Sequence, residues 1–285
     1  MDYKILSNGV KIPKLGYGVY RLPENGVTKD LVLKALKAGY RHIDTAQAYY
    51  NEREVGEAIK ESSLRREDIF LTTKIWISNY GDGKTYDSFM KSLDKLQTGY
   101  VDLLLLHQPF NDYYGAWRDL ERIYKEGKAK AIGVSNFWPN RLVDLCGHAN
   151  VKPMINQIEI NPFDQKTNWR KWMNKYDVAS EAWGPFAEGR NNIFSNETLV
   201  KIANAHNVSV ANVIVKFLLD QDIVVLSTTT KEERMVHNQF VDFNLEPAEI
   251  EEIKNLNTNK SLFFDHEGGE AAELFMQFER EREGK

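Results

Sequence analysis

The stretch RHIDTAQAYYNEREVGEAI, residues 41–59, opens as a buried strand and closes as an amphipathic helix. Asn51, followed three residues later by Glu54, marks a capping-box-like helix start. Val55, Ala58 and Ile59 then form an apolar stripe at helical spacing. Between strand and helix lie Asp44 and two tyrosines, Tyr49 and Tyr50. The stretch is one strand–loop–helix unit, and it places a carboxylate at a strand end and a phenol in the loop beyond.

Working outward, the same unit recurs. Short apolar runs appear at 14–20, 41–46, 69–75, 101–107, 131–136, 155–160, 178–183 and 223–228. Several are apolar at nearly every position, as expected for strands covered on both faces. Helical periodicity fills 28–38, 52–61, 85–97, 115–126, 139–146, 166–176, 195–206 and 246–255, with an extra helix predicted at 209–220. Eight strands alternating with eight helices, and no Pro/Gly/Ser linker between halves, predict a single (β/α)8 TIM barrel over residues 1–285. A doubly wound sheet is the alternative, but no GxGxxG follows the first strand; Gly16-Tyr17-Gly18 alone is weak. Ahead of the rhythm, YKILSNGVKIP reads as a hairpin turning at Asn8-Gly9. Behind it, residues 259–285 break the rhythm and read as a loop with a fraying charged end.

Composition narrows the function. The 285 residues are 42% hydrophobic and 27% charged, with net charge −4, which speaks against a nucleic-acid binder. One cysteine, Cys146, excludes an internal disulfide and suits a reducing compartment. No basic-plus-apolar leader and no apolar run of membrane-spanning length is legible. A cytoplasmic protein with no membrane or nucleic-acid partner is expected.

Barrel enzymes work at the C-terminal ends of their strands. There this sequence offers Asp44, Lys74 and Trp76, His107, Ser135-Asn136, Gln157 and Glu159, and Trp183, with Tyr49 in the loop after the second strand. Each alone has an ordinary reading as a cap, a solvated strand end, a structural histidine or a core aromatic. Together, Asp, Tyr, Lys and His suggest proton transfer to a carbonyl oxygen. An ammonium beside a phenol lowers its pKa from about 10, and a carboxylate keeps that ammonium charged. No side chain delivers hydride, so a nicotinamide is implied. Ser135, Asn136 and Gln157 are placed to bond its carboxamide and Trp183 to stack on its ring.

These motifs, GYRHIDTAQAYYNEREVG, LTTKIW, VDLLLLHQP, IGVSNF, NQIEINP and WGPF in order, resemble the aldo-keto reductase family from about residue 5 to residue 265. The resemblance implies a (β/α)8 barrel closed at its base by an N-terminal hairpin, and NAD(P)H-dependent reduction of aldehydes and ketones. It implies a tetrad of Asp44, Tyr49, Lys74 and His107, with Tyr49 as acid and base. Cofactor contacts are implied at Gly18, Val19, Tyr20, Ser135, Asn136, Gln157, Trp183, Gly184, Phe186, Thr228, Thr229, Arg234 and Asn238. Tyr20 and Trp76, with Phe110, Tyr113 and Phe137 by loop location, are expected to line the pocket for a small, apolar or aromatic carbonyl substrate. A monomer without metal is expected.

Two departures stand out. Where the family commonly reads Ile-Pro-Lys-Ser before Arg-x-x-x-Asn, this chain reads Leu226-Ser227-Thr228-Thr229, then Arg234 and Asn238. Thr228 removes one cation from the 2′-phosphate site, with Lys231 the nearest substitute. NADP(H) is still expected because Arg234 remains, with NAD(H) open. Gly184 replaces a serine hydroxyl. The alternatives are a cofactor-binding redox-sensing protein of the same fold with little turnover, a Schiff-base aldolase using Lys74, and a metal hydrolase. The scattered histidines and the Asp44 beside Lys74 disfavour the last two.

Overall fold

The computed structural model describes residues 2–283. A hairpin of β1 (Tyr3–Ile5) and β2 (Lys11–Pro13) precedes eight strands. These are β3 (Leu15–Gly18), β4 (His42–Asp44), β5 (Phe70–Ile75), β6 (Val101–Leu106), β7 (Ala129–Ser135), β8 (Ile155–Glu159), β9 (Ala179–Trp183) and β10 (Val224–Ser227). All eight pair in parallel and close into a barrel in the order β10-β3-β4-β5-β6-β7-β8-β9. Around it run α1 (Val27–Lys37), α2 (Glu52–Glu61), α3 (Lys84–Lys95), α4 (Tyr113–Lys125), α5 (Pro139–His148), α6 (Thr167–Lys175), α7 (Glu197–Ala205), α8 (Val210–Leu219), the short α9 (Glu232–His237), α10 (Pro247–Lys254) and α11 (Gly269–Glu283). The helix predicted at 209–220 is α8, capped by Ser209. No single described helix is long and apolar enough to cross a membrane.

The hairpin turns through Gly9 at φ +86°, a backbone geometry that glycine adopts without strain. It lies across the N-terminal ends of the strands. Leu6 and Ile12 are buried, Asn8 Nδ2 donates to Lys130 O at 2.9 Å, and Lys14 pairs with Asp222 at 2.8 Å.

Every residue of β5 and β6 is buried, as a doubly covered strand requires. Yet the interior is not wholly apolar. His42, Asp44, Thr72, Lys74, Gln157 and Glu181 occupy alternate positions of β4, β5, β8 and β9, none more than 2% exposed. β4 and β8 are diametrically opposite in the eight-strand ring, so the 2.9 Å bond from Gln157 Nε2 to Asp44 Oδ2 crosses the lumen. Gly16 makes room for this filling, since a Cβ there would come within 2.6 Å of the His42 ring.

Two expectations are corrected. Asn51 does not cap α2 with its side chain. Its Nδ2 donates to Val19 O at 2.9 Å and Leu22 O at 3.1 Å, and its Oδ1 accepts from Thr45 Oγ1 at 2.9 Å. Glu54 instead caps the neighbouring α1, accepting from Gly26 N at 2.5 Å and Lys29 N at 3.0 Å. Both side chains pin the segment between β3 and α1. The second correction is the tail, which forms α11 rather than a loop; residues 284 and 285 lie outside the described residues. Ala271 and Phe275, four apart, are each 4% exposed and dock the helix on the barrel mouth. The helix is anchored upstream: Leu262 N and Ser261 Oγ donate to Glu159 at 3.1 and 2.5 Å.

Candidate active site

Asp44, the last residue of β4, faces the lumen beside Lys74 of β5. Lys74 Nζ donates to Asp44 Oδ1 at 2.6 Å, Thr45 O at 3.1 Å and Tyr49 Oη at 3.3 Å, so its three hydrogens meet three acceptors. Tyr49 ends a single 3-10 turn, Gln47–Tyr49. Gln47 fixes that turn: its Oε1 accepts from Trp76 N at 2.9 Å and its Nε2 donates to Ser88 Oγ at 2.7 Å. His107, just past β6, presents its ring edge-on to Tyr49 at 5.7 Å and to Trp76 at 5.1 Å. Tyr50 turns outward through φ +60° and is 58% exposed.

The electrostatics differ from the expectation in one respect. Burial pushes the Tyr49 phenol up to about 12, and the nearby Lys74 ammonium pulls it down only in part. The neighbouring ammonium alone would place it below its ordinary value; burial wins because the hydroxyl is taken out of water. The phenol is therefore protonated at neutral pH. Burial opposes the Lys74 charge, but Asp44, with smaller help from Tyr49 and Glu181, outweighs it and raises the ammonium above its usual value.

A cleft of about 1450 Å³ opens above this cluster. Tyr49, Asp44 and His107 form its floor with Ser135, Asn136, Gln157 and Trp183 alongside; Thr228, Thr229, Arg234 and Asn238 line its far wall. Gly18, Tyr20, Trp76, Gly184 and Phe186 also line it. Trp183 Nε1 donates to Asn136 Oδ1 at 2.8 Å, and Asn136 Nδ2 to His107 O at 3.2 Å. Thr228 Oγ1 donates to Gly18 O at 2.9 Å, so its hydroxyl is engaged by the backbone. Gly184, at φ +63°, lies under Phe263, which a Cβ there would touch at 3.5 Å.

Some predicted residues lie elsewhere. Val19 is fully buried and meets Asp44 O through its backbone N–H at 3.0 Å, so its side chain does not line the cleft. Phe110 is screened from the cleft by Phe275, stacked on it at 5.1 Å. Tyr113 and Phe137 are buried against each other, 5.3 Å apart, outside the lining. Lys231 is also outside it.

Several cleft-lining residues, and one buried carboxylate below the cleft, lie outside the motifs legible in the sequence. Phe275 and Phe278 come from α11, and Phe263, Phe264 and His266 from the segment before it. Arg21 and Glu188 pair at 2.9 Å and both line the cleft. Glu181, within β9, accepts from Gln157 Nε2 at 3.1 Å. Burial, reinforced by the Asp44 carboxylate, pushes it up to about 8. Its signal was available: a carboxylate inside a strand expected to be covered on both faces.

Residues 14–258 match the model of the Aldo/keto reductase family. The 9,11-endoperoxide prostaglandin H2 reductase of Trypanosoma cruzi is 39% identical over 274 residues, covering 94% of this chain and 97% of its own. The glyoxal reductase of Bacillus subtilis is 40% identical over 259 residues, covering 90% and 93%. The crystal structure of a Bombyx mori aldo-keto reductase in complex with NADP superposes with a TM-score of 0.85 at 30% identity, covering 91% of this chain and 94% of that one. With the barrel, the lumen-facing Asp–Lys–Tyr cluster and these likenesses together, the chain belongs to the aldo/keto reductase family.

Proposed function

We propose that this chain reduces small aldehydes and ketones to alcohols with NAD(P)H, Tyr49 giving the proton. The observation that carries the reading is Lys74 Nζ, held at 2.6 Å by Asp44 and at 3.3 Å from the Tyr49 hydroxyl on the floor of an open cleft. The relative named glyoxal reductase and the neighbour crystallised with NADP support the substrate class and the cofactor.

The cleft suits a nicotinamide dinucleotide. Ser135 and Asn136 spend their hydrogens on Gln157 O, His107 O and each other, so they present their oxygens as acceptors beside the flat Trp183 ring, and Arg234 presents a cation at the opposite wall. Both hydrogens of Gln157 Nε2 are committed to Asp44 and Glu181, which leaves its carbonyl oxygen for a carboxamide N–H. When bound, the cofactor supplies the hydride that no side chain can give. Tyr49, protonated at neutral pH, donates its proton to the carbonyl oxygen. The Lys74 ammonium stabilises the charge left on the phenol oxygen, and Asp44 keeps that ammonium in place. His107 faces the same point and orients the carbonyl. Tyr20, Trp76, Phe263, Phe264, Phe275 and Phe278 make the entrance aromatic, which favours apolar or aromatic carbonyls.

Cofactor preference rests on the far wall. Arg234 favours a 2′-phosphate, whereas Thr228 brings no cation and Glu233 adds a carboxylate to the same lining. NADPH is therefore preferred, but weakly. The test is nicotinamide absorbance decay with NADPH and with NADH across glyoxal-type dicarbonyls, aromatic aldehydes and keto esters. Decay with both, faster with NADPH, is expected. Tight NADPH binding without turnover of any carbonyl would sink the reading.

A further inference from the structure

Beneath the proton-transfer cluster, the barrel interior holds one more ionisable layer than the reaction uses. Glu181 of β9 is fully buried, as are His42 of β4 and Lys74 of β5, with Gln157 of β8 at 2% exposure. Gln157 Nε2 bridges two carboxylates, donating to Asp44 Oδ2 at 2.9 Å and to Glu181 Oε2 at 3.1 Å. The other Glu181 oxygen lies 3.7 Å from His42 Nε2, which already contacts Thr72 Oγ1 at 3.1 Å. Opposite Glu181 on β10 stands Val224, which brings no charge.

Counting charges decides what Glu181 is. The titratable groups facing it are His42 and Asp44 on β4 and Lys74 on β5. Burial holds His42 neutral, with its pKa down to about 3. Lys74 is the one cation, and its three hydrogens are committed to Asp44, Thr45 and Tyr49. Two ionised carboxylates around one ammonium in a dry core would leave a net buried charge, which is strongly unfavourable. Asp44 has the ammonium in contact, so Glu181 is the one that keeps its proton.

We propose that Glu181 is a positioning residue for proton transfer: as a neutral acid it anchors Gln157, which holds the Asp44 carboxylate and through it the Lys74 ammonium beneath Tyr49. The proposal rests on the carbonyl-reductase reading above. It has a consequence for pH. Once Glu181 ionises, near pH 8, a second negative charge opposes the charge that develops on the Tyr49 oxygen as it gives up its proton, and reduction slows.

The experiment compares wild type, Glu181→Gln and Glu181→Leu in kcat, KM and pH profile with NADPH and methylglyoxal. Glu181→Gln keeps an acceptor for Gln157 without the charge. Its turnover at pH 7 is expected within about threefold of wild type, with the fall in kcat/KM above pH 8 abolished. Glu181→Leu removes the acceptor and is expected to lose at least about tenfold in kcat, with KM for the carbonyl little changed. Wild-type turnover and pH profile in Glu181→Leu would overturn the proposal. So would equal losses in both variants with unchanged profiles, because Glu181 would then serve only the fold. If Glu181→Leu does not fold, the Glu181→Gln profile decides alone, and an unchanged alkaline limb refutes. If wild type reduces no carbonyl, the failure belongs to the proposed function. Infrared spectra of the cofactor-free protein then test Glu181 separately: a protonated-carboxyl C=O band at pH 7 that vanishes in Glu181→Gln supports its neutral state, and no such band overturns it.

Discussion

Replacing Lys74 with methionine removes a charge from the floor of the site while nearly preserving its volume. Two magnitudes follow. The ammonium lies 3.3 Å from the Tyr49 oxygen; at an effective dielectric of about 20, its attraction for a full phenolate charge is about 5 kcal/mol. Water entering the cleft and partial charge in the transition state reduce this, so a fall in kcat of roughly 10²–10³-fold is expected. The second magnitude concerns folding. Asp44 loses its partner in a dry core, which costs about 3–5 kcal/mol when a buried pair is broken from one side. For a chain of this size that corresponds to a Tm lower by roughly 5–8 °C. Steady-state kinetics with NADPH and calorimetry on the same preparation measure both. A variant within tenfold of wild-type kcat would show that Lys74 does not stabilise the phenol oxygen. An unchanged Tm would show that Asp44 is not held by it.

Restoring the missing cation with Thr228→Lys should raise the NADPH-over-NADH ratio of kcat/KM by about tenfold or more, the worth of one charge-assisted hydrogen bond; an unchanged ratio would mean that Thr228 does not face the 2′-phosphate. Stability should also depend on pH through three buried groups. His42 and His266 both fall to about 3 in the folded chain, so each contributes stability that is present above the unfolded value near 6.5 and lost as pH falls toward 3. Glu181 rises to about 8, so its contribution is present below the unfolded value near 4.5 and lost as pH rises through 8. From these groups, urea midpoints should peak near pH 6.5, and Glu181→Gln should flatten the decline on the alkaline side; a midpoint that still falls between pH 6.5 and 8 in that variant would contradict the assignment.

The repeated strand–helix unit was legible because parallel strands buried on both faces read as apolar runs, and the site was legible because its polar residues interrupt those runs at their ends. The same logic reached Asp44, Lys74 and His107 but stopped short of Glu181, which interrupts β9 from within rather than at its tip. Asp44, Lys74 and His107 come together because β4, β5 and β6 are neighbouring strands, whereas the bond from Gln157 across the lumen to Asp44 is one that no local pattern announces. Helix α11 was hidden by its composition. Gly268-Gly269 and the run of charges after Phe278 suggested a loop, while the docking contacts of Phe275 with Trp76 and Phe110 are made by residues far away in sequence. Phe110 and Tyr113 were placed at the pocket by loop position alone, and side-chain packing sent both behind other rings. The pKa of Tyr49 was reasoned from its charged neighbour without the depth of burial, which only the fold supplies.

Which atom gives the proton is decided by comparing Tyr49→Phe with Tyr50→Phe. NADPH oxidation with methylglyoxal and NADPH affinity by fluorescence titration would be measured for both. Tyr49→Phe should lose nearly all turnover while binding NADPH as wild type does, because the phenol acts only in proton transfer, and Tyr50→Phe should remain active. Wild-type turnover in Tyr49→Phe, or loss of turnover in Tyr50→Phe alone, would contradict Tyr49 as the donor.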